Sequence, residues 1–183
     1  MSRIEPLEQD KLSERQAQVY GEIAGPRGGV VRGPFAIWLA SNPELADRAN
    51  RLGNALRSEG RLDKRLFELM VLVIARHWTA QYEWWVHAQH GREAGLSDAV
   101  IHAIAERRPP KFEKADEELV FTAVTQLVEH KKISKPVYDT LIATFGEPLV
   151  IELVSAAGFY AMVAMMLVAF EAPVPDGSRP LAD

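Results

Sequence analysis

The spacing of apolar residues is the feature that most constrains the fold of this chain. Along most of its 183 residues, apolar side chains recur three and four positions apart, and no segment alternates steadily between apolar and polar residues. Spacing of three and four is typical of amphipathic helices, whereas alternation is typical of half-buried strands. The Val-rich stretch Met70–Ile74 has a strand-like composition, but its flanks keep the helical period. We therefore predict an all-α protein.

Capping residues and helix breakers divide this pattern into helices. Ser41 or Asn42, Asp63, Thr79 and Ser97 are the predicted N-caps, because short polar side chains can accept hydrogen bonds from the first free backbone N–H groups. The predicted helices cover Leu12–Ile23, Pro34–Ala40, Pro43–Ser58, residues 64 to 76 or 78, Ala80–Glu93, Asp98–Ala105, Glu113–His130, Ser134–Phe145 and Pro148–Phe170. The glycine-rich segment Gly25–Gly33 is predicted to be a loop.

The run Leu153–Phe170 contains 18 uncharged residues, which is near the lower limit for a membrane-spanning helix. Glu152 and Glu171 flank it, and the basic anchors expected beside a spanning segment are missing. We therefore predict a helix buried on all sides, with core contacts on one face and a contact between subunits on the other. A membrane-associated protein is the competing interpretation.

Composition and charge exclude several classes of function. The net charge is −4 and acidic and basic residues are interspersed, whereas nucleic-acid binding needs a concentrated basic face. The chain has no cysteine, which excludes disulfide bonds, thiolate catalysis and zinc sites built on sulfur. Met1–Asp10 is polar and lacks the apolar stretch of a signal peptide. We expect a cytoplasmic protein with a small-molecule substrate, no nucleic-acid partner and no membrane.

Chemically capable side chains concentrate between Glu68 and His90. Glu83 and His87 are four residues apart, so they share one face of a predicted helix. Glu68 lies in the preceding helix, and a hairpin of the two helices would bring its carboxylate to that face. The expected result is a carboxylate–histidine–carboxylate cluster walled by aromatic rings. Such a cluster suits proton transfer, since histidine titrates near neutrality and burial shifts pKa values.

Simpler interpretations of the same residues remain open. His87 can be a buried histidine whose hydrogen bonds are satisfied, and Glu83 lies in a first helical turn, where a carboxylate is stabilised in any protein. Trp84 and other tryptophans suit the core or an interface. His87 and His90 are three residues apart, and Glu83 adds another possible metal ligand. Because no further ligand set is evident and His90 need not point the same way, we predict no metal and no other cofactor.

The sequence between Glu68 and Ser97 resembles the carboxymuconolactone decarboxylase family. The resemblance is carried by Glu68, by the run Tyr82-Glu83-Trp84, by His87 four residues after the second glutamate, and by the helix break Glu93-Ala-Gly-Leu-Ser97. Weaker likeness extends from Gly33-Pro34-Phe35 to Phe170 and covers most of the chain. We therefore describe residues 1–183 as a single domain of this type, with an N-terminal extension (about 1–32) and a short C-terminal tail (172–183) predicted to be a surface arm.

The resemblance implies an alkyl hydroperoxidase D-like helical fold that assembles as a trimer or hexamer. Alkyl hydroperoxidase D-like relatives carry a Cys-x-x-Cys pair, and here its two positions are occupied by Ala80 and Glu83. A thiol peroxidase is therefore excluded. The named decarboxylases act on a carboxylated lactone, which implies a cofactor-free lyase or related proton-transfer enzyme.

The family also suggests roles for individual residues. His87 would supply the proton, and Glu83 or Glu68 would orient its ring. Tyr82, Trp84, Arg76 and Arg32 are candidates for binding substrate, the two arginines by residue type alone. A non-catalytic small-molecule binding or assembly protein on the same scaffold is the alternative function.

Overall fold

The computed structural model describes residues 3–5, 7–25 and 28–182, and within them every regular element is helical. The all-α prediction is confirmed. A short 3-10 turn, Gln9–Lys11, precedes the first α-helix. The α-helices are α1 (Glu14–Ala24), α2 (Pro34–Ser41), α3 (Pro43–Arg57), α4 (Lys64–His77), α5 (Gln81–Glu93), α6 (Asp98–Ala105), α7 (Ala115–His130), α8 (Lys135–Phe145) and α9 (Glu147–Ala169).

Helix α4 is the centre of the core. Every residue from Leu66 to Arg76 is buried, which is the pattern of a helix surrounded by others rather than lying on a surface. Its neighbours are α5 beside it in sequence, α7, α9 and the short helix α6. Glu68 and Arg76 are the buried charged residues of this helix, so each must find its partners inside the protein.

Most of the predicted helix starts are confirmed. The side chains of Asn42, Asp63 and Ser97 each accept a hydrogen bond from a backbone N–H at the start of the following helix. Thr79 was predicted as a cap for α5, and this is wrong. Thr79 has a φ of 50°, and Ala80 occupies the N-cap position without a side-chain hydrogen bond. The Thr79 hydroxyl instead lies 3.1 Å from Nη1 of Arg76, from which it accepts a hydrogen bond.

Helix α3 presents small residues to the core. Leu45 and Leu52 are 43% and 49% exposed, whereas Ala49 and Gly53 are buried. The reason is close packing against α9. A Cβ atom added to Gly53 would lie 3.1 Å from Cζ of Phe159, so the Phe159 ring would have to shift to admit a larger residue. This packing places the C-terminal end of α3 next to α5.

Helix α9 is buried along one face only within a single chain. Leu153 and Ala164 are almost fully buried, whereas Ile151, Met165 and other apolar residues are exposed. The predicted core contacts on one face are present, and an apolar strip faces outward on the other, where a contact between subunits stays a prediction. By length and composition α9 is the one helix among the described residues that could cross a membrane, which is weak evidence because core helices share these properties.

The C-terminal tail is held against the protein. Leu181 is 2% exposed, and its backbone N–H and C=O both bond to the side-chain amide of Gln81 at the start of α5. Trp85 donates to a carboxylate oxygen of Asp176 at 2.7 Å. The tail from Ala172 to residue 182 is thus mostly exposed, but it is anchored through Val174, Leu181 and Asp176 beside the helix that carries Glu83 and His87.

Candidate functional site

The α4–α5 hairpin brings Glu68 and His87 into direct contact. The chain reverses between Trp78 and Ala80, and the two helices then pack side by side. Nδ1 of His87 lies 2.6 Å from Oε2 of Glu68, and both side chains are buried. This distance is typical of a strong charge-assisted hydrogen bond. The ring of His87 also packs edge-on against Tyr160 of α9, with centroids 5.1 Å apart, which fixes its orientation from a second side.

The Glu68–His87 hydrogen bond sets the tautomer of the histidine. Burial raises the pKa of Glu68, but the hydrogen bond with His87 and the positive charge of Arg57 outweigh it, so the pKa of this carboxyl lies below its usual range. An ionised carboxylate can only accept, and Nδ1 of His87 must therefore carry the proton. Nε2 is therefore available to accept or pass on a proton, because it bonds to no side chain in the part of the chain that the structure describes.

Arg57 and His90 extend this pair toward α3. Nη2 of Arg57 lies 2.9 Å from Nδ1 of His90 and 3.6 Å from Oε1 of Glu68. Because a guanidinium has only N–H donors, Nδ1 of His90 must be the acceptor and its proton must be on Nε2. Burial and the charge of Arg57 lower the pKa of His90, which agrees with a neutral ring. Four side chains thus form one connected polar group.

Glu83 has the opposite environment. It is 1% exposed, and neither carboxyl oxygen has a hydrogen-bond partner among the described residues. Burial therefore raises the pKa of Glu83 well above its usual range. The first turn of α5 would favour a carboxylate, but no N–H group in the described structure donates to this one, and burial dominates. Burial thus favours the neutral carboxylic acid form of Glu83, which lies one helical turn from His87.

Four of these side chains, those of Arg57, Glu83, His87 and His90, line one cavity of about 500 Å³ between α3, α5 and α9. Such a volume suits a small organic molecule. Its apolar walls come from α2, α5 and α9, and its polar groups converge from α3 and α5. The residues that matter for chemistry on this wall are Arg32, Asn54, Arg57, Tyr82, Glu83, His87 and His90, beside the rings of Phe159 and Tyr160.

Tyr82 forms the wall between this cavity and a second one. Both Tyr82 and Arg32 line the two cavities, and burial raises the pKa of the Tyr82 phenol. Gly33 lies against the ring, since a Cβ added there would be 2.6 Å from Cε1 of Tyr82. Its φ of 59° is also a conformation that favours glycine. The structure thus places two predicted substrate-binding residues, Tyr82 and Arg32, at the cavity.

The other two predicted substrate-binding residues lie elsewhere. Trp84 is 4% exposed and belongs to the hydrophobic core, away from the cavity wall. The guanidinium of Arg76 donates to Thr79 and, at 2.8 Å, to the backbone carbonyl of Ala182. Arg76 thus binds the C-terminal tail, and neither residue is positioned to touch a molecule in the cavity.

Arg57 is the main site residue that sequence reasoning missed. It is the last residue of α3 and comes to the site only because α3 packs closely on α9. A signal was present in the sequence: Gly53, Asn54 and Arg57 follow one another at helical spacing. The small residues of α3, and not its leucines, mark the face of this helix that lies toward the core.

His90 points toward the other polar residues, although the sequence left the direction of its side chain open. Glu68, His87 and His90 offer one ligand atom each, and these atoms lie within 4.8 Å of one another. Imidazole and carboxylate are suitable ligands for several divalent metals. The donor types therefore fit a metal, but Arg57 already contacts two of the three residues.

Part of the chain that carries these residues matches a known protein family. Residues 43–115, from the start of α3 to the start of α7, match the carboxymuconolactone decarboxylase family. The sequence matches no curated protein.

The fold is also similar to a crystal structure of a protein of unknown function from Agrobacterium tumefaciens, for which a role as the antioxidant defence protein AhpD has been suggested. The TM-score is 0.64 at 21% identity, over 74% of this chain and 93% of that chain. At this identity the likeness establishes the fold alone. Residues 43–115 are thus similar to the carboxymuconolactone decarboxylase family, within an AhpD-like helical fold and a chain that contains no cysteine and therefore no Cys-x-x-Cys pair.

Proposed function

We propose that this protein is a cofactor-free proton-transfer enzyme of the lyase type, acting on a small carboxylated or lactone-like molecule. The observation that carries the proposal is Glu83, a fully buried carboxyl group without a hydrogen-bond partner among the described residues, on the wall of a cavity that also contains His87. An unpaired buried carboxyl group costs stability. Its retention at a cavity is therefore best explained by chemistry.

The carboxyl groups of Glu68 and Glu83 have different chemical roles. Glu68 is ionised, holds Nδ1 of His87 and so fixes the ring in the tautomer whose Nε2 can accept or pass on a proton. Glu83 is neutral and can donate a proton. Two titratable groups whose surroundings push their pKa values apart are the usual basis of acid and base roles in one site.

For a carboxylated lactone, the reaction begins with cleavage of the C–C bond to the carboxylate. CO₂ leaves, and the electron pair remains on the carbon skeleton as a dienolate. Glu83 then donates its proton to the dienolate carbon, which yields the enol-lactone. His87, one helical turn away, returns a proton from solvent to Glu83. Phe159 and Tyr160 keep bulk water from the reacting carbon.

Arg57 replaces Arg76 as the proposed anchor for a substrate carboxylate. It lines the cavity with a side chain that is 40% exposed, and it contacts Glu68 at 3.6 Å without a close pairing. Arg32, on the same wall, is a second candidate. A guanidinium matches a carboxylate with two parallel N–H donors.

Thiol peroxidase chemistry does not transfer from the suggested role of the Agrobacterium protein, because this chain contains no sulfur nucleophile. We further propose a cytoplasmic homo-oligomer whose subunits meet through the exposed apolar strip of α9. Size-exclusion chromatography with light scattering, without detergent, tests both points. A monomer, or a protein that requires detergent, would contradict this part of the proposal.

The activity is tested by incubating the protein with γ-carboxymuconolactone and related lactone acids in D₂O. We expect release of CO₂ and incorporation of deuterium at the product carbon, both followed by mass spectrometry. His87→Ala and Glu83→Gln should lose this activity, and Glu93→Gln, on the exposed face of α5, should keep it. Ligand binding without product from any member of the panel would instead support a binding protein on the same scaffold.

A further inference from the structure

Arg57 lies among groups that resemble the ligand set of a metal site. One atom from each of Glu68, His87 and His90 lies within 4.8 Å of the others. Nitrogen and oxygen ligands bind zinc at about 2.0–2.2 Å, so ligand atoms of one ion lie at most about twice that distance apart. Three protein ligands are sufficient for a zinc site with an open fourth position. Small side-chain movements would thus let the three residues share one divalent ion.

The guanidinium of Arg57 contacts two of the three residues that would hold that ion. Its Nη2 atom lies 2.9 Å from Nδ1 of His90 and 3.6 Å from Oε1 of Glu68. It therefore donates to the imidazole of His90 and faces the carboxylate of Glu68, two of the three groups that a metal ion would bind. A divalent ion at the same position would also meet the fixed positive charge of Arg57 at close range.

Packing of α3 keeps the guanidinium there. Arg57 is the last residue of α3, and Gly53, one turn earlier, brings this helix against Phe159 of α9. The cation is thus attached to the scaffold at a fixed distance from its partners, and it competes with free ions at a high effective concentration.

We propose that Arg57 is the resident cation of the Glu68–His87–His90 cluster, in the place of a metal ion, and that shortening its side chain converts the cluster into a divalent metal site. The inference does not depend on the proposed activity, because its readout is metal binding.

The test is isothermal titration of the purified oligomer with Zn²⁺. Arg57→Ala should bind one Zn²⁺ per chain roughly tenfold or more tightly than the unchanged protein. Arg57→Ala combined with His90→Ala should lose that gain. Arg61→Ala is the matched control, since Arg61 is 68% exposed and pairs with Glu152, outside the cluster. It should bind zinc as the unchanged protein does.

Two results would overturn the proposal. The first is an unchanged protein that binds Zn²⁺ as tightly as Arg57→Ala, because the guanidinium would then exclude nothing. The second is an Arg57→Ala protein with native circular dichroism and no gain in zinc affinity. Should Arg57→Ala fail to fold, Arg57→Ser provides the same test, because it removes the same charge.

Discussion

Two buried carboxyl groups of this protein, Glu117 and Glu83, differ in every respect except burial. Glu117 is 5% exposed and Glu83 is 1% exposed. Oε1 of Glu117 lies 2.5 Å from Nη1 of Arg65, and Asp116 shares the same guanidinium. Neither oxygen of Glu83 has a partner among the described residues. Buried charged groups are normally paired, so the first arrangement is explained by stability and the second requires another explanation.

The two carboxyl groups belong to clusters of different kinds. Arg65 and Glu68 lie on the same helix, one turn apart, and each contacts an acid or a base on a neighbouring helix. The cluster around Arg65 is closed by ion pairs. The cluster around Glu68 opens onto a cavity, and the unsatisfied Glu83 is on its wall. The unsatisfied group, and not the number of charges, distinguishes the candidate site.

The largest expected effect is on turnover. Glu83→Gln keeps the shape of the neutral acid but cannot donate a proton to carbon, and His87→Ala removes the group that restores that proton. Each should lower kcat by about 10²–10⁴-fold, the usual contribution of a positioned acid or base. Steady-state kinetics measures kcat on the substrate that the D₂O incubation identifies, with Glu93→Gln as the control. Unchanged kcat in Glu83→Gln would remove the distinction between the two carboxyl groups.

The next effect is on stability and should appear at the other carboxyl group. Arg65→Ala leaves the buried carboxylate of Glu117 without its guanidinium, and breaking such a pair costs about 3–5 kcal/mol. Glu83→Gln should leave the free energy of unfolding nearly unchanged at low pH, since it removes no ion pair. Urea denaturation of both variants at the same low pH compares their free energies of unfolding. Equal losses in both variants would mean that Glu83 is a structural residue like Glu117.

The pH dependence of stability should have opposite signs for Glu83 and Glu68. Glu83 has a raised pKa, so its contribution is fully present below its ordinary value of 4.5 and is lost as the pH rises toward its folded pKa. Glu68 has a lowered pKa, so its contribution is present above 4.5 and is lost as the pH falls. Thermal unfolding of Glu83→Gln, Glu68→Gln and the unchanged protein across the acidic and neutral range should separate the two slopes. Slopes of the same sign would contradict the assignment.

The smallest effect should be at an exposed ion pair. Nζ of Lys135 lies 2.7 Å from Oδ2 of Asp139 on α8, and the two side chains are 83% and 54% exposed. Lys135→Ala should cost only about 0.3–0.5 kcal/mol, and less at high salt. Denaturation at two salt concentrations measures this. A loss as large as that of Arg65→Ala would show that burial is not what separates these carboxyl groups.

The helices and the Glu68–His87 contact could be predicted from local spacing. The i, i+4 relation of Glu83 and His87 depends only on helix geometry, and Gly95 and Ser97 mark the end of α5 in the sequence. The facing residue, Glu68, needed only the assumption of a hairpin. The protonation state of Glu83 did not follow, because the helix end and burial act on its pKa in opposite directions and only the packed structure decides between them.

The remaining site residues depend on contacts between distant parts of the chain. Arg76 is eight residues after Glu68, so it is rotated by roughly 80° around the helix and faces the tail instead of the cavity. Trp84 directly follows Glu83 and points into the core for the same reason. Arg57 reaches the site through the packing of α3 on α9, and Leu181 is buried against Gln81 although prolines precede it. Contacts between such distant parts of the chain cannot be predicted from the local spacing of residues.

The protonation state of Glu83 tests the account most directly. Infrared difference spectroscopy between the unchanged protein and Glu83→Gln, with ¹³C-labelled glutamate, should show a protonated carboxylic acid at neutral pH that disappears in the variant. The signal of Glu68, identified with Glu68→Gln, should be that of a carboxylate under the same conditions. An ionised carboxylate at Glu83 at neutral pH would contradict the central claim that this cavity holds a neutral acid beside a histidine.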